Sequence, residues 1–146
     1  MAVYTGTNNF YNSWKAEIGK VANLSSDVFK ILLTTSSYTP NASTHSVLSD
    51  VTNELSGSGY ARQTLGSVVW SQTAGTATFD FADPVFSAVG GTLTARYWVI
   101  FDDTVASPTK PLVAYGLIDQ TPADVVVTDG NILTFNINAA GLFTLA

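Results

Sequence analysis

The sequence predicts a mainly β protein, an antiparallel β-sandwich or jelly roll of about eight strands preceded by a short N-terminal amphipathic helix. Three observations point there. From Asp27 onward, β-branched and aromatic runs alternate with clusters of Gly, Pro, Asn, Asp and Ser. Those turn signals recur roughly every 8 to 12 residues, the spacing of sandwiches and jelly rolls. Helical periodicity is confined to the residues before them. At 146 residues with no interdomain linker and no internal repeat, the chain 1–146 reads as one domain, with a helix over 9–22 and the sandwich over 27–146.

Phe10, Trp14, Ile18 and Val21 are spaced by four, four and three, which sets them on one helical face with Asn8 or Asn9 as N-cap. That face is expected to pack on its own domain, the other use of such a face being to dock a neighbour. Val28 to Thr34 carries apolar residues at nearly every position and reads as a strand covered on both faces. Residues 36–59 form a long connection, too long for a hairpin, with room for a helical turn between Ser46 and Asn53. Tyr60 to Leu65 and Ser67 to Ser71 read as strands leading to a turn at Thr73-Ala74-Gly75. Ala77, Phe79 and Phe81 then alternate with Thr78 and Asp80, until Asp83-Pro84 breaks the ladder. After Gly90-Gly91, Ala95 to Phe101 reads as a central strand, and Leu112 to Ile118 continues the sheet. Val125 to Thr128 followed by Asp129-Gly130 is a hairpin signal, and Gly141 to Leu145 reads as a last short strand.

Hydrophobic residues make up 46% of the chain and charged residues 12%, about half the charged share of an ordinary soluble domain. A surface with so little charge suits contact with protein, because burying it strands few ions. Six basic residues scattered through a chain of net charge −5 exclude a nucleic-acid footprint, which needs clustered Lys and Arg. No apolar run approaches the ~18 residues of a membrane helix, and the first residues lack a leader pattern, so synthesis in the cytoplasm is expected. With no cysteine, disulfides and thiolate chemistry are excluded.

Catalytic candidates are few. His45 is the only histidine, and it sits in a polar loop where it reads as an anchor. Neither a nucleophile elbow nor a phosphate-binding loop is present. Asp102 and Asp103 are neighbours on a strand and so point to opposite faces. Asp80, Asp83, Asp102 and Asp119 would have to converge at one end of the sandwich to hold a cation, and their spacing matches no calcium loop. No catalytic, cofactor-binding or metal residue is therefore assigned. Arg62 and Arg96 stand in otherwise neutral or apolar runs and read as partners of acids on adjacent strands or as subunit contacts. Trp70, Tyr97 and Trp98 read as core, with a sugar-binding platform as the alternative.

The strings Tyr11-Asn12-Ser13-Trp14-Lys15, Asn23 to Thr34, Tyr38-Thr39-Pro40-Asn41, Thr44-His45, Ser49-Asp50-Val51 and Gly57-Ser58-Gly59-Tyr60 resemble a family of small virion proteins of tailed bacteriophages. Thr94 to Asp103 and Ala139 to Leu145 continue the resemblance over most of the chain. Val47-Leu48 and Ala61-Arg62-Gln63 depart from the family's pattern. The resemblance implies a structural role in the phage particle and brings no catalytic residues.

The resulting expectation is a capsid decoration or cement protein, a small homo-oligomer seated on the major capsid protein of the virion. Neck, tail, baseplate or fibre components and a carbohydrate-binding module are the alternatives. The 36–59 loop and both termini are the expected contact regions, with Tyr38, Pro40, Asn41, His45, Arg62 and Arg96 as candidate partner-contact residues.

Overall fold

The computed structural model describes residues 2–3 and 7–146. In chain order the elements are β1 (Ala2–Val3), β2 (Asn9–Phe10), α1 (Trp14–Glu17), β3 (Phe29–Thr34), β4 (Gln63–Thr64), β5 (Val69–Thr73), β6 (Thr76–Asp80), β7 (Val85–Ser87), β8 (Leu93–Ala95), β9 (Tyr97–Asp102), β10 (Leu112–Leu117), β11 (Val125–Val127), β12 (Ile132–Thr134) and β13 (Phe143–Leu145). The chain is mainly β, as its alternating patterns predict, and all the strand pairings except β1 with β12 are antiparallel.

A five-stranded sheet, β2-β10-β9-β3-β4, forms the centre. β3 and β9 lie inside it and are buried almost throughout, which is why both read as near-continuous apolar runs. Their register pairs Phe29 with Asp102, Ile31 with Ile100 and Leu33 with Trp98, and β10 sets Gly116 beside Trp98. Cross-strand partners share a face, so this face carries Phe29, Ile31, Leu33, Ile100 and Trp98. It packs on the smaller sheets: Phe29 meets Phe79 of β6 edge-on at 5.2 Å, and Trp98 meets Phe135 at 5.0 Å. Those smaller sheets are β13-β6-β5 and β1-β12-β7, with β11-β8 as a separate pair. The opposite face carries Leu32, Val99, Tyr97 and Tyr115, and here Tyr38 packs on Tyr97 and Tyr11 on Tyr115.

Two local readings are corrected. The helix expected over 9–22 is only the single turn α1. Phe10 instead belongs to β2, where its backbone pairs with Ala114, and Val21 is 44% exposed. Trp14 alone of the four fills the core, edge-on to Phe29; tertiary strand pairing overrides the local spacing. Asp129-Gly130 does form a turn, in which Asn131 N–H donates to the Thr128 carbonyl. It does not close a hairpin, because β11 pairs with β8 whereas β12 pairs with β7 and β1. The turn is a corner between sheets.

Candidate contact surface formed by the 36–59 loop

The long connection is fixed to the sheet on three sides. At the end of β3, Thr35 N–H donates to the Asn53 carbonyl and Leu55 N–H to that of Leu33. At the start of β10, Leu48 N–H donates to the Lys110 carbonyl and Leu112 N–H to that of Ser46. On the N-terminal side, Asn12 N–H donates to the Ala42 carbonyl. A 3₁₀ turn, Leu48–Asp50, sits in the middle, within the stretch expected to hold one. The Asp50 carboxylate accepts from Ser46 N–H at 2.8 Å and Val47 N–H at 3.0 Å, and these bonds hold its pKa below the ordinary aspartate value.

Beneath the loop runs a line of polar groups. The Tyr11 and Tyr38 hydroxyls are 3.0 Å apart, and the Tyr38 hydroxyl is also 3.0 Å from Nδ1 of His45. Tyr38 is 1% exposed and Tyr11 fully buried, while His45 is half-buried at the outer end. Burial raises both tyrosine pKa values, keeping the hydroxyls protonated and able to bond. Tyr38 thus offers no surface to a partner and instead anchors the loop from below. Pro40 is half-buried and Asn41 exposed, its side chain accepting from Ser43 and Thr44 N–H.

The outer surface of the loop is uniformly uncharged. Every exposed residue between 36 and 59 is Ser, Thr, Asn or Gly, whereas His45, Asp50 and Glu54 are half-buried. A segment of this length usually carries mobile polar side chains; here the backbone is held and its hydroxyl and amide groups are presented in fixed positions.

The two arginines are spoken for. Arg62 grips Glu54 with two bonds, Nε to Oε1 at 2.8 Å and Nη2 to Oε2 at 2.7 Å, and lies over the Phe101 ring at 5.4 Å. Tyr60 donates to the same carboxylate. Arg96 pairs with Asp124 at 2.7 Å. Lys30 and Lys110 both reach Asp103, each at 2.7 Å. Glu54 lies eight residues before Arg62 and shares no regular element with it, so no periodic signal in the sequence could have linked them.

The remaining sequence candidates do not assemble. Asp80 accepts from Phe81 N–H, Asp102 from Thr104 N–H and Asp119 from Thr121 N–H, each from its own chain neighbours, while Asp83 accepts from the distant Ile137 N–H. Among the described residues, no cluster of three or more acidic or histidine side chains is placed to hold a metal. Trp98 is fully buried, and so cannot serve as a sugar platform; Trp70 is half-buried against Phe143. Among the described residues no helix is long and apolar enough to cross a membrane. Compared with known proteins, the chain matches no family model, no curated protein and no solved structure.

Proposed function

We propose that the chain is a structural subunit of a bacteriophage particle, a decoration protein that binds the major capsid shell through the outer surface of the 36–59 loop and reinforces it. The observation that carries the contact role is that loop: long, uncharged on its outside, and clamped to the central sheet by backbone bonds and by Tyr38. A surface already held in its bound shape loses little conformational entropy on docking, and one without ions loses little solvation. The resemblance to small virion proteins supplies the partner. Many copies, each covering a modest neutral area, reinforce a shell additively.

Adding the purified protein to shells that lack it tests this directly. Bound protein and a higher shell disruption temperature are expected, and Asn41→Lys with Ser43→Lys on the loop's outer surface is expected to abolish both. Absence of binding, or a dozen copies or fewer per intact particle, would overturn the shell assignment.

A further inference from the structure

We infer that Asp27 and Asp102 share one proton and with it form a clasp that fastens the Asn23–Asp27 turn to the end of the central sheet, closed in acid and released as pH rises. The strand register brings the two acids together. Phe29 pairs with Asp102, and one step further along Asp103 N–H donates to the Val28 carbonyl while Val28 N–H donates to the Thr104 hydroxyl. Side chains alternate between faces, so Asp27, two residues before Phe29, lies on the face of Phe29 and Asp102, diagonally across from the latter. There the two carboxyls are in hydrogen-bonding contact.

The other bonds of the pair leave a place for one proton. Asp102 is fully buried; its Oδ1 accepts from Thr104 and Val105 N–H, and its Oδ2 has no donor among the described residues. Asp27 Oδ2 accepts from Asn23 N–H at 2.6 Å, which closes the turn on itself and leaves Oδ1 for Asp102. Two carboxylates in contact have nothing to donate and repel each other. One proton held between them turns that repulsion into a charge-assisted hydrogen bond and satisfies the buried oxygen.

No basic side chain takes the proton's place. On this face the pair is bordered by Phe29 of β3, which is covered by Trp14 of α1 and Phe79 of β6, none of them ionisable. Lys30, Asp103 and Lys110 are joined to one another on the opposite side of the strand ends, and Arg62 lies over the Phe101 ring on that side as well. Lys20 is the only basic residue between α1 and the turn. Among the described residues neither it nor any other cation is ion-paired to Asp27 or Asp102. Burial therefore meets no countercharge and raises the Asp102 pKa to about 6, with the Thr104 N–H opposing the rise and the Asp27 carboxyl adding to it. The folded pair holds more protons than the same carboxyls in the unfolded chain. The clasp is thus at full strength below the ordinary aspartate range and weakens as pH climbs through the folded value.

Carbon-13 NMR titration of the aspartate side chains reads the sharing directly. In the parent chain the Asp27 and Asp102 carboxyl signals should each move in the same two steps, as coupled acids do. Asp102→Asn and Asp27→Asn each put an amide N–H where the shared proton sat, so each should abolish the upper step in the acid that remains. Amide exchange reads the release. Protection at Asn23, Val28 and Thr104, corrected for the intrinsic pH dependence of exchange, should fall about tenfold or more between about pH 5 and about pH 8 in the parent and stay constant in either variant. Ile31 and Ile100, inside the sheet, should stay protected in all three proteins. An Asp102 step that survives Asp27→Asn unchanged overturns the proposal, since burial alone then accounts for it. So does a turn whose protection ignores pH, or a stabilisation by calcium at neutral pH that either variant abolishes, which would put a cation between the acids instead of a proton.

Discussion

The hydroxyl of Tyr38 lies 3.0 Å from Nδ1 of His45, with the two rings stacked at 5.6 Å. The same hydroxyl meets Tyr11, so it serves two partners at once. Tyr38→Phe leaves a buried hydroxyl and an imidazole nitrogen without that partner, and is expected to cost about 1–3 kcal/mol of unfolding free energy. The double change Tyr11→Phe, Tyr38→Phe should cost less than the sum of the single changes, because the second removes a group already orphaned. Denaturant unfolding of the three variants measures this.

Asp50 ties the middle of the loop through Ser46 and Val47 N–H. Its folded pKa is depressed by those bonds, so its contribution is present above the ordinary aspartate range and is lost as pH falls through the folded value. Asp50→Ala should remove about 1 kcal/mol, the discounted worth of bonds at a partly exposed site. It should also speed amide exchange at Ser46 and Val47 while leaving β3 and β9 protected.

Asp102 shows the opposite sign. It is fully buried at the end of β9, with Oδ1 accepting from Thr104 and Val105 N–H. Burial raises its pKa to about 6; the Thr104 N–H opposes the rise and the neighbouring Asp27 carboxyl adds to it. Between the unfolded value near ~4 and the folded value the native state holds more protons, so stability falls as pH climbs through that window. Asp102→Asn keeps an acceptor for both N–H groups and removes the buried charge. It should flatten the pH profile and raise stability at neutral pH by about 1–3 kcal/mol. Thermal unfolding between acid and neutral pH reads both effects.

Gly116 lies across from Trp98 on the neighbouring strand, and a Cβ there would sit 2.7 Å from the indole ring. Gly116→Ala must displace a fully buried tryptophan packed on Phe135, and is expected to cost about 1–3 kcal/mol. Gly66→Ala meets open space and should stay within about 0.5 kcal/mol of the parent. Parallel melting curves separate the two.

What the sequence revealed depended on how local each signal was. The strands β3, β9 and β10 are readable because a segment covered on both faces must be apolar almost throughout, whatever its neighbours. The turn at Ala74-Gly75 between β5 and β6 is readable through Gly75, which takes the positive φ of a two-residue hairpin turn without steric cost; Ala74 takes it as well, and nothing in its residue type signals that. Phe10 misled because a four-residue step fits a helix equally well until Ala114 claims its backbone. Asp129-Gly130 misled because a tight turn has the same chemistry whether it closes a hairpin or rounds a corner. In the loop, composition announced a polar surface but not that Tyr38 points inward. A lone large aromatic in a run of Ser, Thr and Asn was the available sign of an anchor.

The pairing of the central sheet also governs how quickly the molecule can form. β5 with β6 joins near neighbours in sequence, yet Phe10 must find Ala114, Ile31 must find Ile100, and Ala2 must find Leu133. Closing such wide loops spends entropy before any contact repays it, so folding is expected on the order of milliseconds to seconds rather than microseconds. For as long as that search lasts, the apolar runs of β3 and β9 are without their partner strands, and crowded synthesis is the condition under which this protein is most exposed to mispairing.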